Sequence, residues 1–233
     1  MCMWNGKKKA VTFSFDDGVT QDIRLIELFN KYGLKGTFNI NSGLLGLPGS
    51  LQNSEKTVDH NKIDASKLKE IYSGHEVAVH TLTHPRLPTL NDETVIRQVE
   101  EDRKALESLC GYPVVGMAYP CGGENNDERV ATLIRENTPI RYSRTITSSH
   151  SFAPKQANML RYNPTVYFVE KCFDEIVDKF LTSDSEEEQL LYIWGHSYEM
   201  DFGYITWEHF EDICRKLSRR EDIFYGTNKE VLL

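Results

Sequence analysis

The sequence has no paired cysteines. Its five, Cys2, Cys110, Cys121, Cys172 and Cys214, are scattered, odd in number and form no CxxC pair. This excludes a disulfide framework and a cysteine-built zinc knuckle, and leaves reduced thiols as the simpler reading. An excess of positive charge is also missing: Lys+Arg 27 stand against Asp+Glu 35, a net charge of −8. A field that would gather nucleic acid or an anionic membrane is therefore absent. No apolar run approaches the length of a membrane span, and the opening MCMWNGKKKAVTFSF carries three lysines without a leader-like apolar segment. The expectation is a soluble chain, cytoplasmic as the sequence stands and extracytoplasmic if a leader has been removed. There is no exact internal repeat.

What is present is a chain of 233 residues with 39% hydrophobic content, enough for one substantial core and short for two ordinary domains. Residues 1–233 are expected to form a single domain. VTFSF, from Val11 to Phe15, alternates as a strand does, with Val11, Phe13 and Phe15 on one face and Thr12 and Ser14 on the other. Asp16 and Asp17 follow at its carboxyl end, Gly18 supplies a turn, and Thr20 can cap a helix over residues 21–32 that stops at Gly33. TFNIN predicts a second strand, and residues 42–61, rich in Gly, Pro, Ser and Asn, read as an inserted surface loop that could fold over a groove. A short helix capped by Asp64 leads to the strand EVAVH at 76–80, and a long helix runs from Asp92 to Cys110.

The rhythm repeats with strands at 114–119 and 140–146, a helix at 127–137 between them, and an irregular segment at 147–163. A helix at 169–181, a solvated SDSEEE tract, the buried strand LLYIWGH at 190–196, a helix at 207–219 capped by Thr206 and a short strand at 223–225 complete the chain. Alternating strands and helices imply a mainly parallel sheet. Six or seven such units favour an α/β fold of the barrel type, closed or nearly so.

Four motifs fall at predicted strand ends. After DDG comes HTLTHP, where the chain bends before Pro85; neutral imidazoles at His80 and His84 can converge with one aspartate on a divalent ion, leaving positions open for water and substrate. Taken alone, the two histidines read equally well as polar loop residues. AYPCGG fixes a turn and exposes backbone N–H groups that could stabilise an oxyanion, although a plain strand-ending turn explains it more cheaply. YIWGHSYE delivers His196 to the same end of the sheet.

In this order, DDG, HTLTH, YPCG and the late WGH give a chain that resembles the polysaccharide deacetylases, carbohydrate esterase family 4, from about Val11 to the final helix. The resemblance implies a distorted (β/α) barrel of about seven mainly parallel strands. It implies that Asp17, His80 and His84 bind a divalent metal, zinc first, with cobalt or nickel as alternatives. Asp16 would be the general base toward the attacking water, and His196 would protonate the leaving amine. The oxyanion would be held by the metal and by a backbone N–H of the Tyr119-Pro120-Cys121 turn, that of Tyr119 or Cys121.

There are departures. The family's third motif usually begins with an arginine that holds the catalytic aspartate, and Ala118 stands there; Arg144, in YSRTI on the next strand, is the candidate replacement. The family's aspartate and tryptophan motif that tunes the acid histidine is not evident, so Glu199 or Asp201 is left to orient His196, with surface placement expected for both. Cys121 replaces a common aromatic. His60, His75, His150 and His209 read as partnerless, and Trp194 and Trp207 as core packing.

The resulting expectation is a metal-dependent hydrolase that removes an acetyl group from an amide nitrogen of an N-acetylated carbohydrate. Alternatives are hydrolysis of a small amide or an O-acetyl ester at the same site, and a metal-retaining carbohydrate-binding protein without turnover. A non-haem iron oxygenase would use two histidines and a carboxylate, but it would not explain Asp16 or His196.

Overall fold

Every residue of β1 (Lys9–Asp16) is buried, and its alternation separates two interiors. Val11, Phe13 and Phe15 join the apolar core, while Thr12 donates to Asn228 and Ser14 meets Asn39 and Arg144. The structure, a computed structural model, describes residues 4–233, so Cys2 lies outside the described residues. Cys110, Cys121, Cys172 and Cys214 are free thiols.

The chain continues through α1 (Asp22–Tyr32), β2 (Gly36–Ile40), β3 (Ser50–Gln52), β4 (Thr57–Asp59), α2 (Leu68–Ile71), β5 (Glu76–Val79), α3 (Asp92–Cys110), β6 (Gly116–Ala118), α4 (Glu128–Asn137) and β7 (Tyr142–Arg144). It ends with β8 (Val166–Tyr167), α5 (Phe173–Thr182), β9 (Gln189–Gly195), α6 (Tyr198–Phe202), α7 (Trp207–Leu217), β10 (Ile223–Tyr225) and α8 (Asn228–Leu232). The main sheet runs β7-β6-β5-β2-β1-β9-β8, every pair parallel, with β10 pairing Lys9 to Val11 of β1. This is the distorted (β/α) barrel. Between its two edge strands, β7 and β8, Tyr162 bridges to Arg144, so an irregular segment closes the curl where a regular strand does not.

The layer outside the sheet is aromatic. Phe15 lies 6.0 Å from Phe29, 6.5 Å from Phe38, 5.6 Å from Phe168 and 5.9 Å from Phe210, measured between ring centroids. Burying rings of this size drives the helices onto the sheet. The inside of the curl is polar instead: Thr37 and Tyr142 donate to Glu76, and the first turn of α8 donates its own N–H groups to Thr37 and Glu76.

The elements differ from the sequence reading mainly where they are short. The strands expected at 114–119 and 140–146 shrink to three residues each, and the helix expected from Val169 starts at Phe173 after a turn. The inserted loop carries its own antiparallel hairpin, β3 with β4. β8, α6 and α8 have two to five residues, too few to leave a periodic signal.

Candidate active site and metal centre

The four motifs meet at the carboxyl ends of β1, β5, β6 and β9. Asp17 (φ 84°), Thr81 (φ 69°), His84 (φ 62°) and Cys121 (φ 70°) are all left-handed non-glycine residues, so backbone strain concentrates here. Gly18 has φ +63°, and a Cβ on it would approach Ile40 to 2.9 Å, which explains the glycine after the two aspartates. Behind β5, Asp102 of α3 accepts the His80 N–H at 3.0 Å, and Asn41 donates to the carbonyls of His80 and Thr81. The Thr81 hydroxyl accepts the His84 N–H at 3.1 Å. This tight turn sets the two imidazoles 5.0 Å apart.

One ligand atom each from Asp17, His80 and His84 lies within 4.8 Å of the other two. Asp17 Oδ1 is 3.8 Å from His80 Nε2 and 3.5 Å from His84 Nε2. His80 Nδ1 lies 2.9 Å from the Ala118 carbonyl, which can only accept; the ring proton is therefore on Nδ1, and the Nε2 lone pair faces Asp17. Burial pushes the His80 pKa down to about 4, so the ring is neutral, as a metal ligand must be. Two imidazole nitrogens and one carboxylate oxygen fit a divalent ion of the zinc type.

Asp16 faces the inside of the curl. Arg144, fully buried, bonds both of its carboxylate oxygens, with Nη2 2.5 Å from Oδ1. Asn39 donates to the same Oδ1 at 2.8 Å. Arg144 is itself fixed by Ser14, by the Thr145 carbonyl and by the face of Trp194. Burial alone would raise the Asp16 pKa, but the neighbouring basic groups, the Arg144 guanidinium foremost, outweigh it, and the carboxyl sits below its ordinary value. Ala118 and Arg144 are register partners on adjacent strands, so the guanidinium enters the site one strand over from the position where the resemblance expects it.

Asp17 is held from the other side. His60 Nε2 lies 3.1 Å from its Oδ2, and Lys62 donates to its main-chain oxygen at 2.9 Å. Burial opposes ionisation of Asp17, but the His60 hydrogen bond and the surrounding positive groups hold its pKa well below the ordinary value. Both partners come from the chain between β2 and α2, His60 from the inserted loop and Lys62 from just after it. The partnerless reading of four histidines is thus corrected: His60 meets Asp17, His75 accepts the Gly36 N–H, His150 meets Glu170 and His209 meets Asp174. Each partner lies at least 20 residues away in sequence, beyond the reach of local pattern.

His196 Nε2 is 4.0 Å from Asp16 Oδ2. Its Nδ1 lies 3.3 Å from Glu199 Oε2 without hydrogen-bond geometry, and Glu199 accepts the His196 main-chain N–H at 2.9 Å. The surface placement expected for Glu199 is corrected: it is buried, with burial pushing its pKa up to about 8, because α6 turns back directly under His196. Asp201 instead accepts from Gln21 and from the Trp207 indole. Of the oxyanion candidates, the Tyr119 N–H is already donated to the Arg144 carbonyl at 3.0 Å, and Pro120 has none. The Cys121 amide is left, without a partner among the described residues, in a turn pinned by Asn125. These side chains border a groove of about 450 Å³ whose wall includes Tyr167, Trp194 and Tyr198. Trp194 is buried as expected, yet its ring also lines this groove, stacked on Tyr167 at 4.3 Å.

The fold and the cluster at its strand ends define a barrel of a known kind. The chain resembles the family 4 acetyl xylan esterase of Clostridium thermocellum in complex with a cobalt ion, with TM-score 0.60 and 14% identity over 96% of this chain and 90% of that one. It also resembles a CE4 family pseudoenzyme from Bacillus anthracis, with TM-score 0.56 and 14% identity over 97% and 66%. At such identities the likeness is one of fold. In sequence, the profile described as Polysaccharide deacetylase matches residues 4–137, more than half of the chain, and the chain belongs to that family. A curated relative, the peptidoglycan-N-acetylglucosamine deacetylase PgdA of Listeria monocytogenes, is 24% identical over 120 residues, 50% of this chain and 22% of that protein. The chain spans less than a quarter of the length of the curated relatives it matches, 22% and 24%. Among the described residues, no helix is long and apolar enough to cross a membrane.

Proposed function

We propose that the chain is a metal-dependent hydrolase that removes an acetyl group from the amide nitrogen of an N-acetylated carbohydrate, with residues 4–233 working as one catalytic domain. The observation that carries this reading is the division between neighbouring aspartates: Asp17 groups with both His80 and His84, whereas Asp16, 4.0 Å from His80 Nε2 and from His196 Nε2, has its carboxylate bound to Arg144. Asp17, His80 and His84 would hold the ion, zinc first and cobalt or nickel otherwise. Bound there, a divalent metal lowers the pKa of a water and polarises the acyl carbonyl.

The chain's own groups do the rest. Asp16, kept ionised by Arg144, accepts the proton of the attacking water as it adds to the carbonyl carbon. The Cys121 N–H donates to the developing oxyanion. Burial lowers the His196 pKa, so its ring starts neutral; it takes up the proton that Asp16, 4.0 Å from Nε2, has accepted, and Nε2 gives that proton to the nitrogen as the carbon–nitrogen bond breaks, releasing acetate and the amine. Tyr167 and Tyr198 offer flat apolar faces to a sugar ring, while Trp194 lies sandwiched between Tyr167 and Arg144 and backs the wall. A binding protein without turnover, the alternative that the pseudoenzyme's fold raises, would need neither Asp16 nor the buried arginine that holds it.

The test is acetate release by metal-stripped protein reconstituted with zinc or cobalt, on N-acetylglucosamine oligomers, O-acetyl xylan and simple amides. Metal-dependent release from the oligomers is expected. Release only from the xylan or the simple amides would move the substrate to an ester or a small amide, and no release from any of them, with metal bound, would favour the binding protein.

A further inference from the structure

We propose a second divalent-metal site, of zinc type, formed by His150 Nε2, Glu170 Oε2 and Cys172 Sγ at the outer wall of the groove. The three ligand atoms lie within 4.8 Å of one another and share no residue with the Asp17, His80 and His84 cluster. Cys172 Sγ is 3.8 Å from His150 Nε2 and 3.5 Å from Glu170 Oε2. Ligands of a tetrahedral zinc ion, with bonds of about 2.0 to 2.3 Å, stand roughly 3.5 Å apart, so two of the three separations are already near that value. The third, 2.6 Å between His150 Nε2 and Glu170 Oε2, is a hydrogen bond that must open by roughly 1 Å to reach it. The more exposed His150 side chain can make that shift while Glu170 stays in place.

The surroundings orient the ligands. Glu170 keeps its second oxygen, Oε1, on the Ser148 hydroxyl and on the Tyr167 N–H, the latter at 3.2 Å, which leaves Oε2 directed at His150 and Cys172. A ligating carboxylate held through its other oxygen is the usual supporting arrangement of a metal site. His150 is one of the few left-handed non-glycine residues, φ 50°, and its N–H is tied to the Thr165 carbonyl at 3.0 Å. A sulfur, a nitrogen and an oxygen donor together suit zinc and leave a fourth position for water. On binding, the Cys172 thiol gives its proton to solvent and His150 carries its remaining proton on Nδ1. Occupancy would join the segment after Ile146 to the turn after Tyr167, two residues that line the groove, and so stiffen that wall.

Cobalt(II) titration of the full chain tests this, because a cysteine ligand gives a sulfur-to-cobalt charge-transfer band in the near ultraviolet that imidazole and carboxylate do not. The band is expected in wild type, absent in Cys172→Ser, and shifted by more than roughly tenfold to higher cobalt in His150→Ala. It should persist in Asp17→Asn, whose metal centre is separate, and in Cys121→Ser, the control for the thiol 3.8 Å from His84 Nδ1. No band in wild type, a band that survives Cys172→Ser, or one lost with Cys121 would overturn the proposal.

Discussion

Asp16 and Asp17 are adjacent, both buried and both ionised, yet they are held by different parts of the molecule. Asp16 is fixed from inside the barrel, by a fully buried arginine on β7, by Asn39 on β2 and through Ser14 of its own strand. Asp17 is fixed from outside, by His60 and Lys62 of the added segment between β2 and α2. The inner support belongs to the strands that make the barrel, so it should be inseparable from folding. The outer support comes from an added segment, so it should tune the site without being needed for the fold.

The largest effect should therefore come from the inner side. Arg144→Ala leaves Asp16 as a buried charge without its partner and is expected to cost about 3–5 kcal/mol in urea unfolding, with turnover lost in parallel. Combining Arg144→Met with Asp16→Asn removes the pair as a unit and should be markedly less costly to stability than Arg144→Ala alone; equal cost would mean that Arg144 acts through packing against Trp194. On the outer side, His60→Ala should weaken metal binding about 10–100-fold while changing unfolding by less than about 1 kcal/mol, read by equilibrium dialysis and denaturation together. If unfolding changed as much as with Arg144→Ala, the contrast between the two supports would be gone. Smallest of all should be Leu47→Ser, half-exposed beside His60 and Tyr198 in the cleft between insertion and metal centre. A few-fold rise in KM at constant kcat is expected, since the change would remove contact with bound substrate and leave the reacting groups alone.

The same inner and outer division governs what the sequence discloses. The positions of the two aspartates, His80, His84 and His196 are legible because their motifs follow strands that alternation or a buried apolar run marks; their roles come from the resemblance that the four motifs carry together. Arg144 is legible at one remove, since a residue on the neighbouring strand at the same level can reach the same point, and the register of Ala118 with Arg144 supplies that level. His60 and Lys62 are not legible: the path of a long insertion depends on contacts such as the Ile63 N–H with the Gly18 carbonyl, which no local pattern encodes. Glu199 is missed for a different reason. An acid after a strand reads as surface, and only the immediate turn into a five-residue helix puts it beneath His196. The Tyr119 amide shows the converse error, a group at the right turn that the sheet has already used.

The central claim is that the two aspartates divide the work, one holding the metal and the other acting on the water. It is tested most directly by preparing Asp16→Asn and Asp17→Asn side by side and measuring zinc content and acetate release from N-acetylglucosamine oligomers on the same samples. Asp16→Asn should keep its zinc and lose turnover by about 10²–10⁴-fold, whereas Asp17→Asn should lose both. An Asp16→Asn protein that loses its zinc as Asp17→Asn does, or that keeps its zinc and still turns over, would contradict the account.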